Sequence, residues 1–306
     1  MSEFILHHYV LSPFSTKIRA MLGQAGLDWR SAITREMPPR PVLEVLAGGY
    51  RKIPVAQIGA DVFCDTRVIA EEIARISGQP QLALAGCEPD ARALAARADS
   101  ALFVDCLMAG STLTAGRRMW AAMSALDIAR FFVDRIRIGR HARIKARSRQ
   151  GAPARIRGVL AELSERLHAS PFLFGEQPCH ADFSVYHTLW FLTDVGGSTL
   201  VSEFPRVRQW QQRLRQQGEG RAQPLAPEDT LLIARLARPR ALPADQVGDS
   251  RIGRQVRIAP VDYAREPTFG VLVAATPTRW ILAREHAEVG LLHVHFPRDG
   301  YQLDEA

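Results

Sequence analysis

No stretch of the 306 residues approaches 18 uninterrupted apolar positions, and no basic segment precedes the first apolar run at Phe4-Ile5-Leu6. A membrane-spanning helix and a secretory leader are not expected on those grounds, and the chain reads as soluble and cytoplasmic. Cysteine is scarce. Cys64, Cys87, Cys106 and Cys179 lie far apart and form no Cys-x-x-Cys, which argues against a disulfide framework and a zinc ribbon and leaves scattered reduced thiols. Acidic residues are missing between Arg135 and Arg157, where nine basic residues stand in a chain whose total charge is only +7, so the remainder is slightly acidic. Aromatic residues are missing from the same segment. Base stacking would need them, so a nucleic-acid partner is disfavoured and a solvated helix face with a loop is expected.

What is present is an ordinary globular balance, 47% hydrophobic and 23% charged, in a chain long enough for two or three domains. Near its start, Phe4-Ile5-Leu6 with Tyr9-Val10 reads as a buried strand, after which Ser12 offers an N-cap oxygen and Pro13 the preset φ of a first helical residue. Ile18, Met21, Leu22 and Ala25 share one face of that helix, and Gly26 stands where a C-terminal glycine ends it. A hydroxyl is thus held at a strand-to-helix corner where free N–H groups and the helix dipole favour an anion such as a thiolate. A second strand follows over 28–34. Met37-Pro38-Pro39-Arg40-Pro41 and Gly48-Gly49 then bracket a loop with a short helical turn, 54–58 and 62–64 form a hairpin, and Asp65 or Thr66 caps a helix ended by Ser77-Gly78-Gln79-Pro80.

Tyr-x-x-Ser-Pro-Phe-Ser-x-Lys-Ile-Arg at Tyr9–Arg19, Lys52-Ile53-Pro54-Val55 and Cys64-Asp65-Thr66 resemble, in order, three landmarks of the glutathione transferase superfamily. The resemblance implies a multidomain α+β/α chain. A thioredoxin-like β-α-β-β-β-α domain would span 1–80 and an all-helical domain 86–218, where the sequence itself turns to helical patterns over 91–108, 120–138, 153–168, 181–195 and 205–217. Cys179-His180-Ala181-Asp182 is similar to the family's helix-start motif, a capping box whose cap here is a thiol, a weaker acceptor than a hydroxyl. The tail lies beyond the resemblance. Pro224, Pro227, Pro239 and Pro243 mark a linker around a short helix over 228–236, and strand patterns over 256–259, 269–275, 280–283 and 291–296 form a small β-rich module, 240–306, which at that size is expected to pack on the rest.

By the same resemblance Ser12 donates to the thiol of glutathione, the cosubstrate, with Tyr9 and then Ser15 as alternative donors. Ser12 is also the N-cap, and both roles draw on one oxygen. The thiol-transfer branches carry cysteine where Ser12 stands, so mixed-disulfide chemistry is disfavoured. Ile53, before a cis proline in the family, would pair its backbone with the cysteinyl part of the tripeptide. Lys52 would face the glycine carboxylate, and Asp65 and Thr66 the γ-glutamyl end, capping being the competing role of that pair. A small hydrophobic electrophile is the expected second substrate and a homodimer the expected assembly. Met108, Met119, Trp120 and Met123 lie on helices that line the second-substrate cleft in the family, though core packing is the expected role of each. The alternative is a non-catalytic protein of the same fold whose basic surface and β tail engage a partner. His293 and His295 share a strand face that reads as polar surface, and no metal is expected.

Overall fold

The structure, a computed structural model, describes residues 3–122, 124–141 and 148–306. Strand β1 (Ile5–His8) is buried throughout and runs parallel to β2 (Asp28–Ile33). Between them lies α1 (Pro13–Gln24), with Ser12 as N-cap, Pro13 in its first turn, and Gly26 at a φ of 64° just past its end. Helix α2 (Pro41–Ala47) is longer than the turn expected there. Strands β3 (Val55–Ile58) and β4 (Asp61–Cys64) form the hairpin, and α3 (Thr66–Ser77) closes with Gly78 in the left-handed region.

The helical part begins with α4 (Pro89–Arg97), which passes through a wider π-type turn over Ala98–Leu102 into α5 (Phe103–Gly110). The single helix expected over 120–138 is two, α6 (Leu113–Ala122) and α7 (Ala125–His141). Ser124 is the reason: its hydroxyl accepts the Asp127 N–H at 3.2 Å and donates to the Asp127 carboxylate at 2.8 Å, a start signal that restarts the helix. Helices α8 (Ala152–Arg166), α9 (His180–Trp190) and α10 (Pro205–Gln216) follow as expected. After them come β5 (Arg221–Pro224), in the segment read as linker, and α11 (Asp229–Leu236). Every residue of β5 is exposed, so no apolar alternation marks it as a strand. The tail forms β6 (Gln255–Pro260), β7 (Thr268–Ala275), β8 (Arg279–His286), β9 (Gly290–Pro297) and β10 (Tyr301–Glu305).

Among the described residues all ten strands belong to one sheet, ordered β10-β6-β7-β8-β9-β4-β3-β1-β2-β5. The tail is therefore a continuation of the N-terminal sheet, joined where β9 pairs parallel with β4 through Asp61–His293 and Phe63–His295. Both edges of the four-stranded sheet are covered, β2 by β5 and β4 by β9, which removes two unpaired strand edges. The alternating pleat serves two cores. Ala56, Ile58 and Phe63 join Ile18, Met21 and the helical domain's Leu160 and Phe183 on one face. Val55, Val62 and Cys64 join Leu46 of α2 and Leu282, Val294 and Phe296 of the tail on the other. Strands buried on both faces read as apolar runs, and Val62-Phe63-Cys64 is one.

Candidate functional site

Strand register gathers the three sequence landmarks at one end of the sheet. β3 runs antiparallel to both neighbours, with Val55 opposite His7 of β1 and Cys64 of β4. The start of β3, preceded by the cis Ile53–Pro54 bond, thus lies between the end of β1, which leads to Ser12, and the end of β4, which leads to Asp65 and Thr66. At the first corner Ser12 Oγ accepts the Ser15 N–H at 3.2 Å, so the capping role is made. A hydroxyl accepts twice and donates once, so its proton stays available for an anion. Ser15 Oγ is fully buried with no hydrogen-bond partner among the described residues, and Ser12 beside it is 2% exposed.

Asp65 caps α3 at a φ of 87°, unusual for a non-glycine residue and a mark of a position held by its surroundings. Its Oδ1 accepts from the Arg67 N–H at 3.0 Å and from Arg67 Nε at 3.3 Å. Burial pushes this carboxyl up, but Arg67 and Lys52 outweigh it and hold it below the usual carboxylate range. Its Oδ2 is met by the tail: the Tyr301 hydroxyl donates to it at 3.0 Å, with the Tyr50 hydroxyl 3.2 Å behind. Burial and then the Asp65 charge push both phenols well above their usual value, so both stay protonated donors. Gly300 permits this approach. Its φ is 74°, and a Cβ there would come within 2.8 Å of the Arg67 guanidinium. Lys52 is likewise occupied by the tail, bonded to Asp262 at 2.7 Å with its Nζ 4.2 Å from the Tyr263 ring centre. Sequence reasoning missed Asp262, Tyr263 and Tyr301. β10 escaped the strand reading, and no spacing in the tail says which edge it joins.

Behind the Ser12 corner Phe14 packs on Phe103 and His187 of the helical domain, with ring centres 4.9 and 4.8 Å apart. Lys17, with no exposed side-chain surface, donates to Asp99 in the π-type turn at 2.8 Å. Burial raises the Asp99 carboxyl, and the Lys17 charge and hydrogen bond together with His187 and His180 bring the net shift downward. His180 and His187, buried beside this pair, are lowered to about 3 and about 4, chiefly by burial, and are neutral at pH 7. The pair therefore ties α1 to the helical part of the chain, with the Arg67 charge also within electrostatic reach of Asp99.

Other sequence candidates fall elsewhere. His295 is buried, bonds Asp61 at 2.9 Å and stacks on Phe63, so it belongs to the seam between β4 and β9 and not to a polar surface. Trp120 is exposed and outside the core, while Met123 lies outside the described residues. Of the basic run, Arg155 pairs with Asp105 and Arg157 with Glu203, whereas Arg143, Lys145 and Arg147 lie outside the described residues. Among the described residues no helix is long and apolar enough to cross a membrane, and no group of three His, Cys, Asp or Glu is placed to hold a metal.

Comparison with known proteins gives a consistent result. The family model for the glutathione S-transferase N-terminal domain matches residues 6–81, and the model for the C-terminal domain matches 144–213. A GST-like protein from Pseudomonas syringae, known from its crystal structure, is 34% identical over 100% of both chains with a TM-score of 0.80. A glutathione transferase family member from Pseudomonas fluorescens, solved with two glutathione bound, is 16% identical over 71% of this chain and 93% of its own, with a TM-score of 0.47. A search of curated proteins returns no match.

Proposed function

Because the chain belongs to the glutathione S-transferase family, we propose that it binds glutathione as cosubstrate and activates the thiol for attack on a small hydrophobic electrophile. In this reading it is a serine-type, detoxifying transferase of the cytoplasm that acts as a homodimer. The observation that carries the reading is the register that sets Ser12, the cis Ile53–Pro54 step and Asp65-Thr66 at one end of the sheet. Ser12 donates its hydroxyl proton to the glutathione sulfur while its lone pair keeps the Ser15 N–H. The Ile53 backbone takes the cysteinyl part, Asp65 and Thr66 the γ-glutamyl end, and Lys52 the glycine carboxylate.

A free thiol of pKa about 8.5 is mostly protonated at pH 7, and lowering it two units takes about 2.7 kcal/mol of differential stabilisation. One hydroxyl donor at a helix start is of the right order, since a hydrogen bond to a charged group contributes about 1.5–3 kcal/mol. The thiolate then forms the carbon–sulfur bond, and the electrophile's leaving group departs or its double bond takes up a proton. The test is Ser12→Ala assayed with several electrophiles, alongside ultraviolet titration of bound glutathione. The expected result is a thiol pKa raised by one to two units and a rate at pH 7 lowered about tenfold or more. An unchanged pKa and rate in an enzyme that turns over would take this role from Ser12, and bound glutathione with no turnover in the native protein would leave a binding protein. Sedimentation checks the dimer.

A further inference from the structure

The segment 261–267, between β6 and β7, sets acidic groups on the two cations that precede the cis proline. Asp262 Oδ1 bonds Lys52 Nζ at 2.7 Å, and Glu266 Oε1 bonds Arg51 at 2.6 Å. Register explains why this segment arrives there. β6 ends at Pro260, opposite Tyr301 of β10, and β10 begins at the end of the sheet where β9 and β4 both finish. Lys52 is largely enclosed, 13% exposed, while Asp262 is 42% exposed and stands on its solvent side. The aromatic face of Tyr263 covers Lys52 further. A ligand carboxylate at Lys52 must therefore displace Asp262 or share the ammonium with it, at a cost that an uncharged ligand end does not meet.

We infer that Asp262 is the specificity-determining residue at the glycine end of the tripeptide site, weakening ligands that end in a free carboxylate relative to thiol tripeptides that end in an uncharged amide. The inference rests on the tripeptide reading given above. The atoms that decide it are few: the Lys52 ammonium, the Asp262 carboxylate and the C-terminal group of the ligand. With Asp262 in place the ammonium is already neutralised. With an amide in its place the ammonium is free to take the ligand's charge.

Calorimetric titration of the full-length protein with glutathione and with its C-terminal amide tests this, in the native sequence, in Asp262→Asn and in Glu266→Gln. Asp262→Asn is expected to tighten glutathione about fivefold, the upper range for a partly exposed ion pair, and to leave the amide within about twofold. Glu266→Gln removes the same charge from the same segment but from Arg51, and is expected to leave the acid-to-amide ratio unchanged. A ratio unchanged in Asp262→Asn, or changed equally by Glu266→Gln, overturns the role of Asp262 and leaves the tripeptide site standing. Binding of neither ligand to any of the three proteins overturns the tripeptide reading and this inference with it.

Discussion

Ser12 illustrates how much a single residue type reveals. Its place as a helix cap was legible from Ser12-Pro13 and is met by the Ser15 N–H; the catalytic role proposed for it depends on the one proton that the cap leaves over. Ser12→Ala should therefore cost only about 1 kcal/mol of stability, measured by urea unfolding, so that a larger loss of rate is chemistry and not unfolding. The cysteines separate in the same way. The Cys87 thiol is pulled down by its hydrogen bond to Cys179 and by the His180 and Ala181 N–H groups, against opposing burial, whereas burial pushes Cys64 and Cys106 up. The Cys87 thiol also donates to the Gln81 and Ala83 carbonyls, but at 9% exposure against none for the other two it is the reachable one, and alkylation at neutral pH followed by peptide mapping should find Cys87 modified ahead of Cys64 and Cys106. Faster labelling of either of those two would contradict this assignment. Nothing in the spacing of four scattered cysteines hints at it, because Cys87 and Cys179 meet only through the fold.

At the scale of elements, the start of α9 and the seam between α1 and the helical domain make different demands on a carboxylate. Asp182, fully buried, accepts from the Leu173 and Cys179 N–H groups and from Trp210 Nε1 at 2.9, 3.0 and 2.8 Å. Asp182→Ala strands three buried donors at about 1–3 kcal/mol each, so a loss of at least about 3 kcal/mol in chemical denaturation is expected. The capping box made this residue legible; the Trp210 contact, from a helix 28 positions on, was not. The Lys17–Asp99 pair is asymmetric, since Lys17 is wholly buried and Asp99 is 28% exposed. Asp99→Ala leaves an unpaired buried cation and is expected to cost about 3–5 kcal/mol. Lys17→Met should cost less, because Asp99 is the less enclosed of the two side chains, 28% exposed against 0% for Lys17, even with its Oδ1 buried. Denaturant midpoints of the two variants give the order, and equal losses would contradict the asymmetry of the pair.

For the whole molecule, acidity is the sensitive axis. His7, His8, His180 and His187 are buried and lowered to about 4, 3, 3 and 4, in each case chiefly by burial. A histidine whose folded pKa lies below its unfolded value of about 6.5 contributes stability above that pH and loses it as pH falls toward the folded value. Each costs about 2 kcal/mol at pH 5, and four such groups amount to a large share of an ordinary 5–15 kcal/mol of stability. Melting temperatures should fall steeply between pH 6.5 and 5, and a flat profile there would contradict the neutral burial of these rings. Removing the tail is a poor probe of its role, because it bares the β4 edge and the Val62 and Cys64 face; point changes such as Asp262→Asn keep the sheet whole. Caps, turns and periodicity are set by neighbours along the chain, so the Ser12 and Asp65 helix starts, the β3–β4 hairpin, most of the helical domain and four of the five tail strands were legible in the order of residues alone. That the tail joins β4, sets Asp262 and Tyr301 on Lys52 and Asp65, and extends the sheet to ten strands among the described residues emerges only in the folded chain, because these contacts join groups more than 200 residues apart that carry no local mark of their partner.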